Sequence, residues 1–203
     1  MKKVNIAVLV SGGGTNLQAL IDAEKSGIIK SGKITLVISN KKDAYALERA
    51  KNNDIKTQVI VKKECKDTFE FESKMLNALK ENNIDLIVLA GFLCILSKRF
   101  TDEYKDRILN VHPSLIPSFC GEGYYGLKVH EKALEYGVKV TGATVHFVNE
   151  VADGGKIIMQ KAVDILESDT AETLQKRVME NAEWIILPLS TEKVAKSILL
   201  GDE

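Results

Sequence analysis

The chain has 203 residues, 45% of them hydrophobic, enough apolar material for the core of one domain and an argument against disorder. Its 28 Lys and Arg balance 28 Asp and Glu with no block of like charge, so the field that non-specific nucleic-acid binding needs is missing and a small-molecule partner is favoured. The cysteines, Cys65, Cys94 and Cys120, are odd in number and lack C-x-x-C spacing, which indicates neither a disulfide framework nor a zinc site. With no cleavage site after the N-terminal Met-Lys-Lys and no apolar run of about 18 residues, a cytoplasmic protein without a membrane partner is expected.

Val4–Val10 reads as a buried strand, followed by Ser11-Gly-Gly-Gly-Thr15-Asn16 and a helical pattern that gathers Leu17, Leu20, Ile21 and Ala23 on one face. Residues 34–38 form a second strand, 44–52 a helix and 57–61 a third strand, the alternation of a parallel sheet. A longer helix over Thr68–Glu81 offers Phe69, Met75, Leu76 and Leu79 for burial and ends at Asn82-Asn83. Strands at 86–90 and 107–111 complete the parallel set. Between them, Gly91-Phe-Leu-Cys-Ile-Leu96 is too apolar for a solvated turn, and Ser97 caps a short helix. The most turn-like stretch is 118–126, ahead of a helix over 127–135; strands at 138–148 and 155–163 then pair as a hairpin. Helices over 170–184 and 187–199, the second started by Pro188, close the chain. The fold class is α/β: a Rossmann-like open, mostly parallel sheet with helices on both faces and a C-terminal antiparallel strand pair.

In such sheets ligands collect beyond the carboxyl ends of the strands, which is where Asn110 and His112 fall. Two apart in a strand, they share a side while Val111 points into the core, and Pro113 ends the strand and biases His112 toward extended geometry. A carboxylate approaching His112 would hold it as imidazolium, and Asn110 would donate to a developing oxyanion. Asp153 is the candidate, although by spacing alone Asp153-Gly154-Gly155 reads as a hairpin turn. The glycine turn after the first strand places backbone N–H groups at a helix N-terminus, as a phosphate cradle or as a tight turn capped by Thr15 or Asn16. A monophosphate suits it better than a dinucleotide, because Leu17 stands where the G-x-G-x-x-G fingerprint wants glycine and the second strand ends Ser39-Asn40-Lys41 without an acid. His130 and His146 read as packing or surface residues. Cys120 lies near His112, but nothing orients the pair for nucleophilic chemistry. Phe92, Leu93, Ile95 and Leu96 read as core or as the wall of a slot for a flat aromatic ring.

Taken together, Ser11-Gly-Gly-Gly-Thr-Asn16, Leu89-Ala-Gly-Phe92, Asn110-Val-His-Pro-Ser-Leu-Ile-Pro117, Thr144-Val-His-Phe-Val148 and Asp153-Gly-Gly155 resemble the folate-dependent formyltransferases, and among them the phosphoribosylglycinamide formyltransferase family, over nearly the whole chain. The resemblance implies one domain over 1–203, with a nucleotide-binding half at 1–112 and a folate and catalytic half at 113–203. It implies transfer of the formyl group of 10-formyltetrahydrofolate to the amine of glycinamide ribonucleotide in purine biosynthesis. The amine would attack directly, without metal, and the enzyme would act as a monomer or homodimer. By the same resemblance His112 donates to the tetrahedral oxyanion and helps protonate the folate nitrogen, Asp153 keeps His112 charged and manages a proton through water, and Asn110 holds the formyl oxygen. Gly13, Gly14, Thr15 and Asn16, with Glu183, would take the ribonucleotide. Leu93, Cys94, Ile95, Leu96 and Asn110, with Asn149, Glu150, Val151, Ala152 and Asp153, would enclose the folate. Four departures from the family pattern stand out: Cys94 replaces an arginine of many relatives, another basic residue that those relatives carry near Thr68 differs here, the helix carrying Glu183-Trp184 reads one residue longer, and the 118–126 loop is longer. The nearest alternative is a formyltetrahydrofolate deformylase, which would use the same Asn110, His112 and Asp153 but let water attack; its N-terminal regulatory domain is not expected ahead of Val4. Methionyl-tRNA formyltransferase needs a basic surface, and a silent nucleotide-binding module would have no use for the three intact residues.

Overall fold

In the computed structural model, which describes residues 3–201, the first strand β1 (Val4–Val10) sets the layering. Side chains alternate along a strand, so Val4, Ile6, Val8 and Val10 enter one core while Ala7 and Leu9 enter the other. Residues 1, 2, 202 and 203 of the expected domain lie outside the described residues.

The remaining strands are β2 (Gly32–Ser39), β3 (Lys56–Val59), β4 (Leu86–Leu89), β5 (Ile108–His112), β6 (Val140–Phe147) and β7 (Ile157–Asp164). They form a seven-stranded sheet in the order β3-β2-β1-β4-β5-β6-β7. β1 to β5 pair in parallel, whereas β6 runs antiparallel to β7, as the hairpin pattern predicts, and antiparallel to β5 as well. Strand order reverses direction between β1 and β4, so the loops leaving these two strands diverge and open a crevice at their carboxyl ends.

Helices α1 (Thr15–Lys25), α2 (Tyr45–Lys51), α3 (Thr68–Glu81), α4 (Lys98–Glu103), α5 (Leu127–Tyr136), α6 (Ala171–Val178) and α7 (Trp184–Leu200) cover both faces. Leu17 and Leu20 of α1, Leu174 of α6 and Ile186 and Leu187 of α7 fill one core; Phe71, Met75 and Leu79 of α3 and Phe100 of α4 fill the other. The expectation that Phe69 is buried fails, since it is 64% exposed and lies under the Arg99 guanidinium at 3.9 Å. Steps of four align residues along a helix, and the row 71, 75, 79 faces the sheet, which leaves Phe69 on the outer side. Asp67 caps α3 by accepting from the Glu70 amide, and Ser97 caps α4 as expected.

Pro188 does not start a helix. It lies inside α7, and the break expected before it is replaced by a wide π-type turn over Met179–Glu183 that joins α6 to α7. Such a turn is how a helix accommodates one extra residue, and it turns Glu183 toward the crevice. Among the described residues no helix is long and apolar enough to cross a membrane.

Candidate active site

The crevice is a cleft of about 890 Å³, within the range of small-molecule sites. The ends of β1, β4 and β5 form its floor and the loops at 91–96, 118–126 and 149–153 its walls. Antiparallel register places Asn110 opposite His146 and His112 opposite Thr144, so each pair lies on one face of the sheet. Thr144 is fully buried and donates to the Ser114 carbonyl at 2.7 Å while accepting from the Ile116 amide at 3.1 Å, which ties down the chain just after His112.

Asp153 is the hub. Its Oδ2 lies 3.4 Å from His112 Nδ1 and its Oδ1 lies 3.5 Å from His146 Nε2 and from Asn110 Nδ2. The carboxylate reaches that position through left-handed backbone at φ 54, a conformation Asp tolerates better than most residues, on a loop closed by Gly155, where an added Cβ would meet the Phe147 carbonyl at 1.7 Å. Asp153-Gly154-Gly155 is therefore more than a hairpin turn, since it carries a carboxylate into the cleft. Burial raises the Asp153 pKa, but the His146 and His112 rings and the Gly121 amide outweigh it and hold the group below the usual carboxylate range.

His146, expected to be packing, belongs to this cluster. Its Nδ1 lies 2.8 Å from the Phe147 carbonyl, and its Nε2 lies 3.2 Å from the Asn110 side-chain nitrogen and 3.5 Å from Asp153 Oδ1. An Asn110 N–H reaches Asp153 at the limit of a hydrogen bond, leaving it available to a substrate oxygen. No sequence signal marked His146, because its strand was expected to pair only with the strand that follows it, and its place opposite Asn110 comes from the pairing of β5 with β6.

His112 is buried, and both ring nitrogens face acceptors: Asp153 at Nδ1 and the Phe119 carbonyl at Nε2, 2.9 Å away. Burial lowers its pKa, while the Asp153 carboxylate and the Phe119 carbonyl act in the opposite direction. Phe119 and Gly121 belong to the long loop, and the Gly121 amide donates to Asp153 Oδ2 at 2.8 Å. Phe119 takes φ 47, unusual for a bulky residue. The loop thus occupies the atoms of His112 and Asp153 that a reactant would need. Cys120 is no nucleophile here: its thiol donates to the Pro117 carbonyl, and burial, followed by Asp153, pushes its pKa up.

At the other end of the cleft, Gly14 caps α1 with φ 72, and no side chain caps the helix. The expectation of Thr15 or Asn16 as the cap is thereby replaced. A Cβ on Gly14 would approach the Ala46 Cβ to 2.6 Å, whereas one on Gly12 or Gly13 meets nothing within 4 Å. The fold requires glycine only at Gly14; open backbone at the other two suits close approach of a ligand. Arg49, absent from the sequence reading, donates to the Gly13 carbonyl at 2.8 Å and brings a positive charge to this turn. Asn16 and Glu183 line the cleft together, joined by a 2.7 Å hydrogen bond, while Gly13, Gly14 and Thr15 lie outside its lining, Thr15 being exposed and bonded to the Met179 sulfur. Burial pushes Glu183 up to about 6 against the opposing Asn16 amide.

On the folate side of the expectation, Leu93, Cys94, Ile95 and Leu96 all line the cleft, with Leu93 and Ile95 exposed into it and Leu96 anchored in the core. The Asn40 amide donates to Cys94 Sγ at 3.1 Å, and the Leu93 amide donates to Ser11, which ties this segment to the glycine turn. Asn149, Val151, Ala152 and Asp153 line the cleft as well; Glu150 does not.

Residues 4–190 match the family model described as formyl transferase. The chain is 46% identical over 189 residues to phosphoribosylglycinamide formyltransferase of Haemophilus influenzae, covering 93% of this chain and 85% of that one. It is also 46% identical over 202 residues to the human trifunctional purine biosynthetic protein adenosine-3, of which it spans only 19%. In structure it is similar to glycinamide ribonucleotide transformylase 1 of Symbiobacterium toebii, with a TM-score of 0.90 at 38% identity, covering 96% of this chain and 89% of that one. The matched span, the shared fold and the extent of identity place this chain in the formyl transferase family.

Proposed function

We propose that this protein transfers the formyl group of 10-formyltetrahydrofolate to the amine of glycinamide ribonucleotide, as one domain over 1–203 with its nucleotide half at 1–112. The observation that carries the reading is the convergence of Asn110, His112 and Asp153 in one cleft, between an uncapped helix N-terminus on one side and an apolar segment on the other.

The phosphate would sit at the N–H groups opening α1, where the helix dipole and Arg49 favour negative charge, with Asn16 and Glu183 toward the ribose. The pterin would lie against Leu93 and Ile95 and be closed in by Val151 and Ala152. The amine then attacks the formyl carbon, a C–N bond forms, and the carbonyl oxygen becomes an oxyanion. Asn110 and the His112 Nε2–H donate to it, the latter in place of the Phe119 carbonyl. Collapse breaks the bond from the formyl carbon to the folate nitrogen. One proton must leave the attacking nitrogen and one must reach the folate nitrogen. Asp153, an ionised carboxylate 3.4 Å from Nδ1, favours the imidazolium, which gives its Nε2 proton to the folate nitrogen as that bond breaks, while the proton leaving the amine is taken up through Asp153 and restores the ring.

The test is the absorbance loss of 10-formyltetrahydrofolate with and without glycinamide ribonucleotide. Turnover only with the ribonucleotide, yielding formylated product, is expected; turnover without it would make the protein a deformylase, and none in either case would overturn the reading.

A further inference from the structure

Formyl transfer as drawn leaves one buried imidazole without a role. His130, in the first turns of α5, is 1% exposed, yet neither Nδ1 nor Nε2 has a hydrogen-bond partner among the described residues. A neutral imidazole carries one donor and one acceptor, and burying both unmet is costly. Its helix neighbours Val129 and Ala133 fill the same depth with apolar groups, so packing alone gives no reason for histidine here. The ring lines the cleft together with Gln175, Met179 and Glu183 of the ribonucleotide wall. Burial, and secondarily the nearness of His112, push its pKa down to about 4, so it is a neutral donor and acceptor at working pH. His112 Nε2, by contrast, faces the Phe119 carbonyl at 2.9 Å, and Asn110 lies 3.2 Å from His146.

We propose that His130 is a substrate-binding residue that hydrogen-bonds the glycyl amide arm of the ribonucleotide, the segment between the sugar and the attacking amine. The arm must cross from the Asn16 and Glu183 wall to His112, and its amide N–H and C=O match the acceptor and donor of a neutral ring. Holding the arm aligns the amine with the formyl carbon, a geometric effect worth about 100-fold in rate when lost. This inference rests on the ribonucleotide reading above.

The test compares wild type with His130→Leu, using glycinamide ribonucleotide and ribose 5-phosphate, which lacks the arm. The Leu variant should lose about 100-fold in kcat/KM and bind glycinamide ribonucleotide about tenfold more weakly, yet bind ribose 5-phosphate as wild type does. Relieved of two unmet polar atoms, it should melt about 2–4 °C higher. Wild-type kcat/KM in the variant, or equal weakening of both ligands, would overturn the proposal. Should the variant not fold, wild type decides: with only three histidines in the chain, the His130 ring nitrogens are assignable by NMR. They should shift on adding glycinamide ribonucleotide and not ribose 5-phosphate, and no shift with the former would overturn the proposal. Absence of wild-type turnover with the ribonucleotide would instead sink the functional reading itself.

Discussion

Asp153 does for this site what no single neighbour could do, because its two oxygens face two imidazoles while its backbone sits at φ 54. Replacing it by Asn removes the charge that stabilises a protonated His112, and His112→Ala removes the proton carrier. Each change should lower kcat by about 10²–10⁴-fold with little effect on ribonucleotide KM, which steady-state kinetics would show; a change confined to KM would assign both residues to binding instead. His146 acts one step removed, through Asn110. His146→Ala should lower kcat by up to about 100-fold by freeing the Asn110 amide that it now fixes, and an unchanged kcat would mark His146 as a packing residue. Asn110 and His112 were legible from a strand ending in Pro113. His146 was not, because a histidine on an alternating strand carries no sign of which residue its neighbour strand will place opposite.

The glycine turn separates one glycine that the packing requires from two that it does not. Gly14→Ala forces a side chain into left-handed backbone and into Ala46, and should destabilise by about 1–3 kcal/mol in denaturant unfolding. Gly13→Ala has open space and should leave stability within about 0.5 kcal/mol while raising ribonucleotide KM. If both variants lost stability and neither changed KM, the turn would be structural only. Sequence pattern located the turn and the helix behind it but could not tell the glycines apart, since that depends on Ala46 arriving from α2. The same limit accounts for Phe69 in α3: Met75, Leu76 and Leu79 are buried as expected, but Phe69 and Phe71 are both apolar, and only the position of the sheet decides which one is buried. Pro188 was read by its preference for helix starts, a preference overridden by the continuous packing of α7 over the sheet.

At the scale of the whole molecule, the cleft joins residues far apart in the chain. Asn16 and Glu183 meet at 2.7 Å across 167 positions, and the buried carboxyl rises to about 6. A folded pKa raised above the ordinary 4.5 means that Glu183 contributes most stability below that value and that the contribution is lost as pH rises through about 6. Relative to Glu183→Gln, wild type should lose about 2 kcal/mol of unfolding free energy between acid and mildly alkaline pH. Parallel pH curves for the two would show that burial costs Glu183 nothing. By itself the sequence determined the alternation of strands and helices, the parallel sheet with its antiparallel tail, the polar residues at the end of β5 and the glycine turn after β1, because periodicity and turn chemistry are local properties. Only the tertiary structure decided that Asp153 lies between two histidines, that the long loop contacts both His112 and Asp153, and that His130 faces the cleft without a hydrogen-bond partner among the described residues. Those outcomes depend on strand register, burial and approach through space, which arise only when distant segments share one sheet.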